Sequence, residues 1–191
     1  WEEELETVDL GALIAGRLAI LEASAESKGQ AIDFKSGGHS LVRGVPALLD
    51  RVVDNLVGNA IKYSSEGDRI EIALGRHEQR IIMTIRDHGP GIPEDSLERI
   101  FDRFYRVPGT KAAGAGLGLA LAKEVVDWHG GCIFIDSEPG VGTTFCGELP
   151  ASANPYHLSS SASSAANSST RSTGACSPSR SSLMLVGGMR P

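Results

Sequence analysis

Two short runs in the middle of the chain constrain it most: RIEIALG at residues 69–75 and RIIMTIRD at residues 80–87. Ile70, Ile72 and Leu74 alternate in the first, and Ile81, Met83 and Ile85 in the second. Successive side chains of a strand point to opposite faces, so each run predicts a half-buried strand, and the few residues between them predict a hairpin. A two-stranded hairpin with one apolar face is not stable alone and needs other elements packed on it.

Those elements flank it on both sides. Asp9 can cap a helix whose apolar residues Leu10, Leu13, Ile14, Leu18 and Leu21 fall at helical spacing, with Gly29 placed to end it. AIDF and HSLVRG read as two short strands joined by Gly37 and Gly38. Pro46 suits the first turn of a second helix that runs to Ser64. A last helix spans Leu117 to His129 and stops at Gly130 and Gly131; CIFIDS and GTTFCGEL follow as a second hairpin turning at Glu138, Pro139 and Gly140. Between the hairpins, residues 87–116 are rich in glycine and proline apart from the helical stretch EDSLERIFDRF, which marks a long functional loop region.

Composition bounds the rest. A chain of 191 residues accommodates one well-buried domain plus an extension. A net charge of -6 with 18 basic residues provides no broad footprint for nucleic acid or an anionic membrane. Cys132, Cys146 and Cys176 fit neither a zinc site nor a small disulfide framework, which favours a reducing cytoplasm. No apolar run approaches the roughly 20 residues that cross a bilayer, so no membrane contact is expected of this piece. From Ala151 the sequence is about one-third serine with few apolar residues, and such a segment cannot offset its ordering entropy. The expected organisation is therefore a linker end at 1–8, a catalytic domain at 9–150 and a disordered tail at 151–191. The opening WEEELETV, without an initiator methionine, reads as the end of a preceding segment and predicts a fragment of a longer protein.

Three constellations carry chemistry. In DNLVGNAIKYS, residues 54–64, Asn55, Asn59 and Lys62 lie within about 60° of one another on a helical wheel. They edge the apolar stripe of Leu49, Val53, Leu56 and Ala60. An amide oxygen there can ligate a hard cation such as magnesium and the lysine can take a phosphate oxygen; a partly exposed helix face is the alternative. In RDHGPGIP, Asp87 shares the parity of Ile81, Met83 and Ile85, so it points inward where the strand ends. A carboxylate so placed needs donors, and an exocyclic amine such as that of adenine would serve; an ordinary turn aspartate is the alternative. Gly89 and Gly91 allow close approach of the backbone there. In AAGAGLGLALAKEVV, Gly114, Gly116 and Gly118 lead into a helix start, whose open amides suit phosphates. No strand immediately precedes this GxGxG and no GxxxxGK[ST] occurs, which excludes the Rossmann and P-loop arrangements. Arg103, Arg106 and Lys111 form a cationic stretch able to close over phosphates, or remain solvated loop charges.

The order and spacing of these pieces, over roughly residues 5 to 149, resemble the catalytic and ATP-binding domain of sensor histidine kinases. That superfamily also holds DNA gyrase, MutL and heat-shock chaperone ATPases. DNLVGNAIKYS is similar to its N box, DHGPGIP to its G1 box, RIFDRFYRV to its F box and GAGLGLALAKEVVDWHGG to its G2 box. The resemblance implies an α+β fold, a two-layer α/β sandwich of the GHKL (Bergerat) type with a mixed sheet packed on three helices. It implies ATP and Mg2+ as cofactors, with Asn59 on the metal and Asn55 supporting the metal and phosphates. Lys62 and Tyr63 would line the phosphate and ribose side, and Asp87 would take the adenine amine within the turn shaped by Gly89 and Gly91. Phe104, Tyr105 and Arg106 would belong to a lid from Arg103 to Gly116, with Arg106 reaching the terminal phosphate; Asn55 and Arg106 are the implied catalytic residues. Gly114, Gly116, Leu117, Gly118 and Leu119 would form the phosphate end, and Thr144 would support Asp87 from a neighbouring strand. Ala115 stands where the family more often has serine or threonine.

The family phosphorylates a histidine on a helical hairpin that precedes this domain, and no such helix is recognisable here. His39 and His77 sit in strand or loop context, His88 in the G1 box, and His157 in the tail; His129 ends a helix, where the dipole favours a cation. The implied activity is γ-phosphoryl transfer to a histidine on a dimerisation hairpin of the parent protein, then onward to a cognate response regulator. This piece would be a monomeric cytoplasmic domain, and an inner-membrane anchor in the parent is compatible with that. A serine kinase of the anti-sigma type and an ATP-binding module without turnover are the alternatives on the same fold. The continuous F box with full G1 and G2 boxes favours the sensor kinase, and intact Asn59 and Asp87 argue against a degenerate site.

Overall fold

A computed structural model of the chain describes residues 5–110 and 114–152. Lys111, His157, Cys176 and the serine-rich tail from residue 153 onward lie outside the described residues.

Strand β1 (Glu6–Asp9) leads directly into helix α1 (Leu10–Glu26). Asp9 caps the helix as its sequence context predicts: its Oδ1 accepts the amides of Gly11 at 2.9 Å and Ala12 at 3.4 Å. Strands β2 (Ala31–Ser36) and β3 (Leu41–Gly44) follow, then helix α2 (Pro46–Tyr63), which carries its proline in the first turn. The hairpin β4 (Arg69–His77) and β5 (Arg80–Asp87) precedes a single helical turn, α3 (Glu94–Leu97). Helix α4 (Gly118–Trp128) and the hairpin β6 (Cys132–Glu138) and β7 (Gly142–Pro150) complete the described chain.

Five strands form one mixed sheet in the order β2-β4-β5-β7-β6, with only the β2–β4 pair parallel. Helices α1, α2 and α4 cover one face of it. Ile14 and Leu18 of α1, Leu49, Val53, Leu56 and Ala60 of α2, and Ala122 and Val126 of α4 meet Ile70, Ile72, Ile81, Ile85 and Phe145 of the sheet. This is the two-layer sandwich implied by the resemblance.

The arrangement departs from the sequence expectation in two places. Strand β2 joins the sheet edge, with Phe34 opposite Ile72, while β3 pairs antiparallel with β1. Residues 6–8, read as linker, are therefore part of a strand, with Val8 opposite Val42. Finally, β5, the central strand between β4 and β7, is buried at every position from Ile81 to Ile85, not at alternate ones. Among the described residues, no helix is long and apolar enough to cross a membrane.

Candidate active site

A cavity of about 310 Å³ opens at the end of β5, between α2, β7 and the loop that enters α4. Asp87, the last residue of β5, lines it and is only 4% exposed. Its Oδ1 accepts two backbone amides, Gly89 at 3.0 Å and Thr143 at 3.2 Å. No hydrogen bond among the described residues reaches Oδ2. Burial pushes the carboxyl above its ordinary range, and the two amides oppose that shift only in part. The site thus holds a buried acceptor with one oxygen committed and one available.

Backbone proximity shapes this end. A Cβ on Gly89 would stand 2.6 Å from the Tyr63 carbonyl oxygen. Gly91, at φ +70, would drive a Cβ into the carbonyl of Glu138. Gly89 acts by this packing and by its bond to Asp87, and its own atoms do not line the cavity. The threonine beside Asp87 is Thr143, not Thr144. In the β5–β7 register Asp87 pairs with Thr143 and Arg86 with Thr144, so Thr144 has the parity of the opposite face. A one-residue shift in register separates the two, and strand pattern alone does not resolve it.

Helix α2 presents Asn55, Asn59 and Lys62 to the cavity, the row its periodicity predicts, together with Tyr63, which the resemblance implies. Asn55 donates from Nδ2 to the Arg51 carbonyl at 2.8 Å, and its Oδ1 faces Gly118, where a Cβ would come within 2.7 Å. Asn59 makes no side-chain hydrogen bond among the described residues. The Lys62 ammonium lies 4.9 Å from the centre of the Tyr63 ring and would be 3.0 Å from a Cβ on Gly114. The last turn of α2 is braced from outside: Lys28 Nζ donates to the Ile61 carbonyl at 2.8 Å, and Gln30 Nε2 donates to those of Ile61 and Ser64 at 3.1 Å each. Nothing in the local sequence singles out Lys28 or Gln30 for this role.

The loop end is assembled from two segments. The Phe104 amide donates to the Gly116 carbonyl at 2.8 Å, and Gly116, at φ +70, lies against the Tyr105 carbonyl. Tyr105 walls the cavity; its hydroxyl donates to Ser96 Oγ at 3.0 Å, and Arg99 stacks 4.4 Å above its ring centre. Arg106, Gly114, Ala115, Gly116, Leu117, Gly118 and Leu119 also line it. Two expected lid residues point elsewhere. Phe104 is 71% exposed and does not line the cavity, and Arg103 pairs with Glu124 of α4 at 2.8 Å. The apolar lining of Ile92, Ile100, Val107 and Phe145 has no sequence signal of its own, since these read as ordinary core or loop positions.

A mixed sheet on three helices, with a buried carboxylate at one end of the cavity and a glycine-led helix start at the other, defines a class of ATPase domain. Residues 44–153 match the family described as histidine kinase-, DNA gyrase B-, and HSP90-like ATPase. The chain belongs to that family. It is 45% identical over 107 residues to the sensor histidine kinase WalK of Bacillus subtilis strain 168, a match covering 53% of this chain and 18% of that protein. Among solved structures, it superposes on the mycobacterial sensor histidine kinase MprB with a TM-score of 0.69 at 31% identity, covering 77% of this chain and 97% of that one. Full-length ShkA in complex with AMPPNP gives a TM-score of 0.70 at 26% identity, over 79% of this chain and 32% of that one. The chain spans between 17% and 27% of the length of the first curated relatives it matches. Within the family it is a catalytic domain of the sensor-histidine-kinase kind.

Proposed function

We propose that this domain binds ATP with magnesium and presents the γ-phosphoryl group to a histidine on a dimerisation hairpin elsewhere in the parent sensor kinase. The phosphoryl group then passes to a response regulator. The observation that carries the reading is Asp87. It is a buried carboxylate that lines a cavity large enough for a purine, with Oδ1 held by two amides and no hydrogen bond to Oδ2 among the described residues. An exocyclic amine on the ligand satisfies Oδ2, and the apolar walls formed by Ile92, Ile100 and Phe145 hold the ring.

The phosphates then run toward α2 and the start of α4. Lys62 and Arg106 supply positive charge, and the open amides at Gly116 to Leu119 supply donors. Asn59 fits a hard cation: its amide is half-buried, lines the cavity and is not engaged by other side chains among the described residues. Magnesium, when bound, offsets charge on the phosphate oxygens. Asn55 also lines the cavity, with its Oδ1 facing Gly118 at the start of α4. The role of these residues in transfer is positioning and charge stabilisation, since phosphoryl transfer asks little covalent chemistry of the protein.

Incubation of the chain with labelled ATP and magnesium, with and without a separately supplied hairpin bearing the acceptor histidine, tests this reading. Label is expected on the hairpin alone. Label on the chain in the absence of the hairpin contradicts the assignment of the acceptor, and no nucleotide binding at all contradicts the reading of the cavity.

A further inference from the structure

We propose that His129 is a positioning residue that fixes α4 against α2 and thereby sets the phosphate end of the cavity; this rests on the reading of the cavity as an ATP site. His129 follows the last residue of α4 and is 9% exposed. Its Nε2 lies 3.1 Å from the backbone nitrogen of Val45, and its Nδ1 lies 2.7 Å from the carbonyl of Val125. The partners dictate the proton. Val45 can only donate, so Nε2 is bare; Val125 can only accept, so Nδ1 carries the hydrogen. One tautomer satisfies both partners at once, with Nε2 accepting from Val45 and Nδ1 donating to Val125.

Geometry gives this bond its reach. Val45 immediately precedes α2, which has no side-chain cap of its own, so the imidazole takes up an amide at the start of that helix. Gly44 makes the room, because a Cβ there would lie 2.8 Å from the ring carbon Cδ2 and 2.9 Å from Nε2. At the other end of the same pair of helices, Asn55 meets Gly118. Val45 and Asn55 are ten residues apart, and Gly118 and His129 eleven. At about 1.5 Å per residue these spans match, so α2 and α4 lie side by side in opposite directions, pinned at both ends. A helix is stiff along its axis, so any slip at His129 is delivered to Gly118, opposite Asn55, and to Leu119, which lines the cavity. Asp87 and Thr143, by contrast, belong to the sheet, outside this helix pair.

The two ends of a bound nucleotide therefore separate this role from a general loss of stability. Calorimetric titration with Mg-ATP and with adenosine compares wild type, H129L, which removes the acceptor, and H129Q, whose amide oxygen can still accept from Val45. H129L is expected to weaken ATP binding by about tenfold and adenosine binding by less than about twofold, and H129Q to recover most of the loss. Equal losses for both ligands, or none, overturn the proposal. Should H129L not fold, G44A, which crowds the ring, is expected to give the same ATP-selective loss. The imidazole nitrogen shifts of the wild type decide independently, because a proton on Nε2 overturns the proposal whatever the variants do. Failure of wild type to bind either ligand would instead refute the ATP reading, and the inference with it.

Discussion

At the strand end of the cavity Asp87 is 4% exposed and held by two amides, and the glycines beside it are packed against the carbonyls of Tyr63 and Glu138. At the loop end Phe104 is 71% exposed at φ 66, and among the described residues one backbone bond, from Phe104 to Gly116, joins the two segments. One end is fixed by sheet register; the other lies in a loop outside the sheet, with Gly116 against the Tyr105 carbonyl and an exposed residue at positive φ. An end fixed by register suits recognition of a base. An end in a loop suits a group that must enter, react and leave.

Substitutions sharpen or break that contrast. The largest effect is expected at Gly91. G91A meets both a positive φ and the Glu138 carbonyl, and should lower unfolding free energy by more than about 2 kcal/mol in urea titrations. A well-folded G91A would show that the strand end is softer than its packing indicates. D87N should leave the fold intact and reduce ATP affinity by about 100-fold, measured by calorimetry, because the amide presents a donor where the amine needs an acceptor. Unchanged affinity would remove the adenine assignment.

Asn59 lies between the two ends. N59D adds a negative charge beside the phosphates, so ATP affinity without magnesium should fall by about tenfold and recover as magnesium is added. Insensitivity to magnesium would place the metal elsewhere. The smallest mutational effect is expected at the loop end. The Arg103–Glu124 pair is exposed on both sides, so R103A should change stability by under about 0.5 kcal/mol.

The Asp87 carboxyl also gives the strand end a pH signature. Its folded pKa is raised, chiefly by burial, so the folded state holds the proton over a range where the unfolded state has lost it. This group's contribution to stability is therefore fully present below the unfolded pKa and is lost as pH rises through the folded one. In the absence of nucleotide, D87N should flatten that part of the stability profile when compared with wild type by thermal melting.

Much of this was legible before any coordinates. The alternation in 69–75 and 80–87 marked the hairpin and turned Asp87 inward, and the periodicity of α2 set Asn55, Asn59 and Lys62 on one edge. Both readings depend on local periods of two or 3.6 residues, which are properties of the backbone. The partner of Asp87 was placed one residue away, at Thr144, because register between distant strands is settled by the whole sheet. Strand β1 is not legible in the sequence, since four residues, ETVD, carry too little pattern to declare partners 32 to 38 positions away. The resemblance implies a lid that begins at Arg103, but that side chain pairs with Glu124 of α4, a contact that no local pattern declares.

The amino-acid sequence by itself determined which residue types stand at each end of the cavity. Inward parity, helix edge and glycine-led helix start are all written in local spacing. Only the tertiary structure decided how those ends face one another. The pins at Asn55 with Gly118 and at Val45 with His129 join residues 63 and 84 positions apart, and such contacts form only when packing brings two helices together. The hydrogen bonds of His129 show the division most plainly: the sequence places it at a helix end, and only packing sets its Nε2 against the amide of Val45, just before α2.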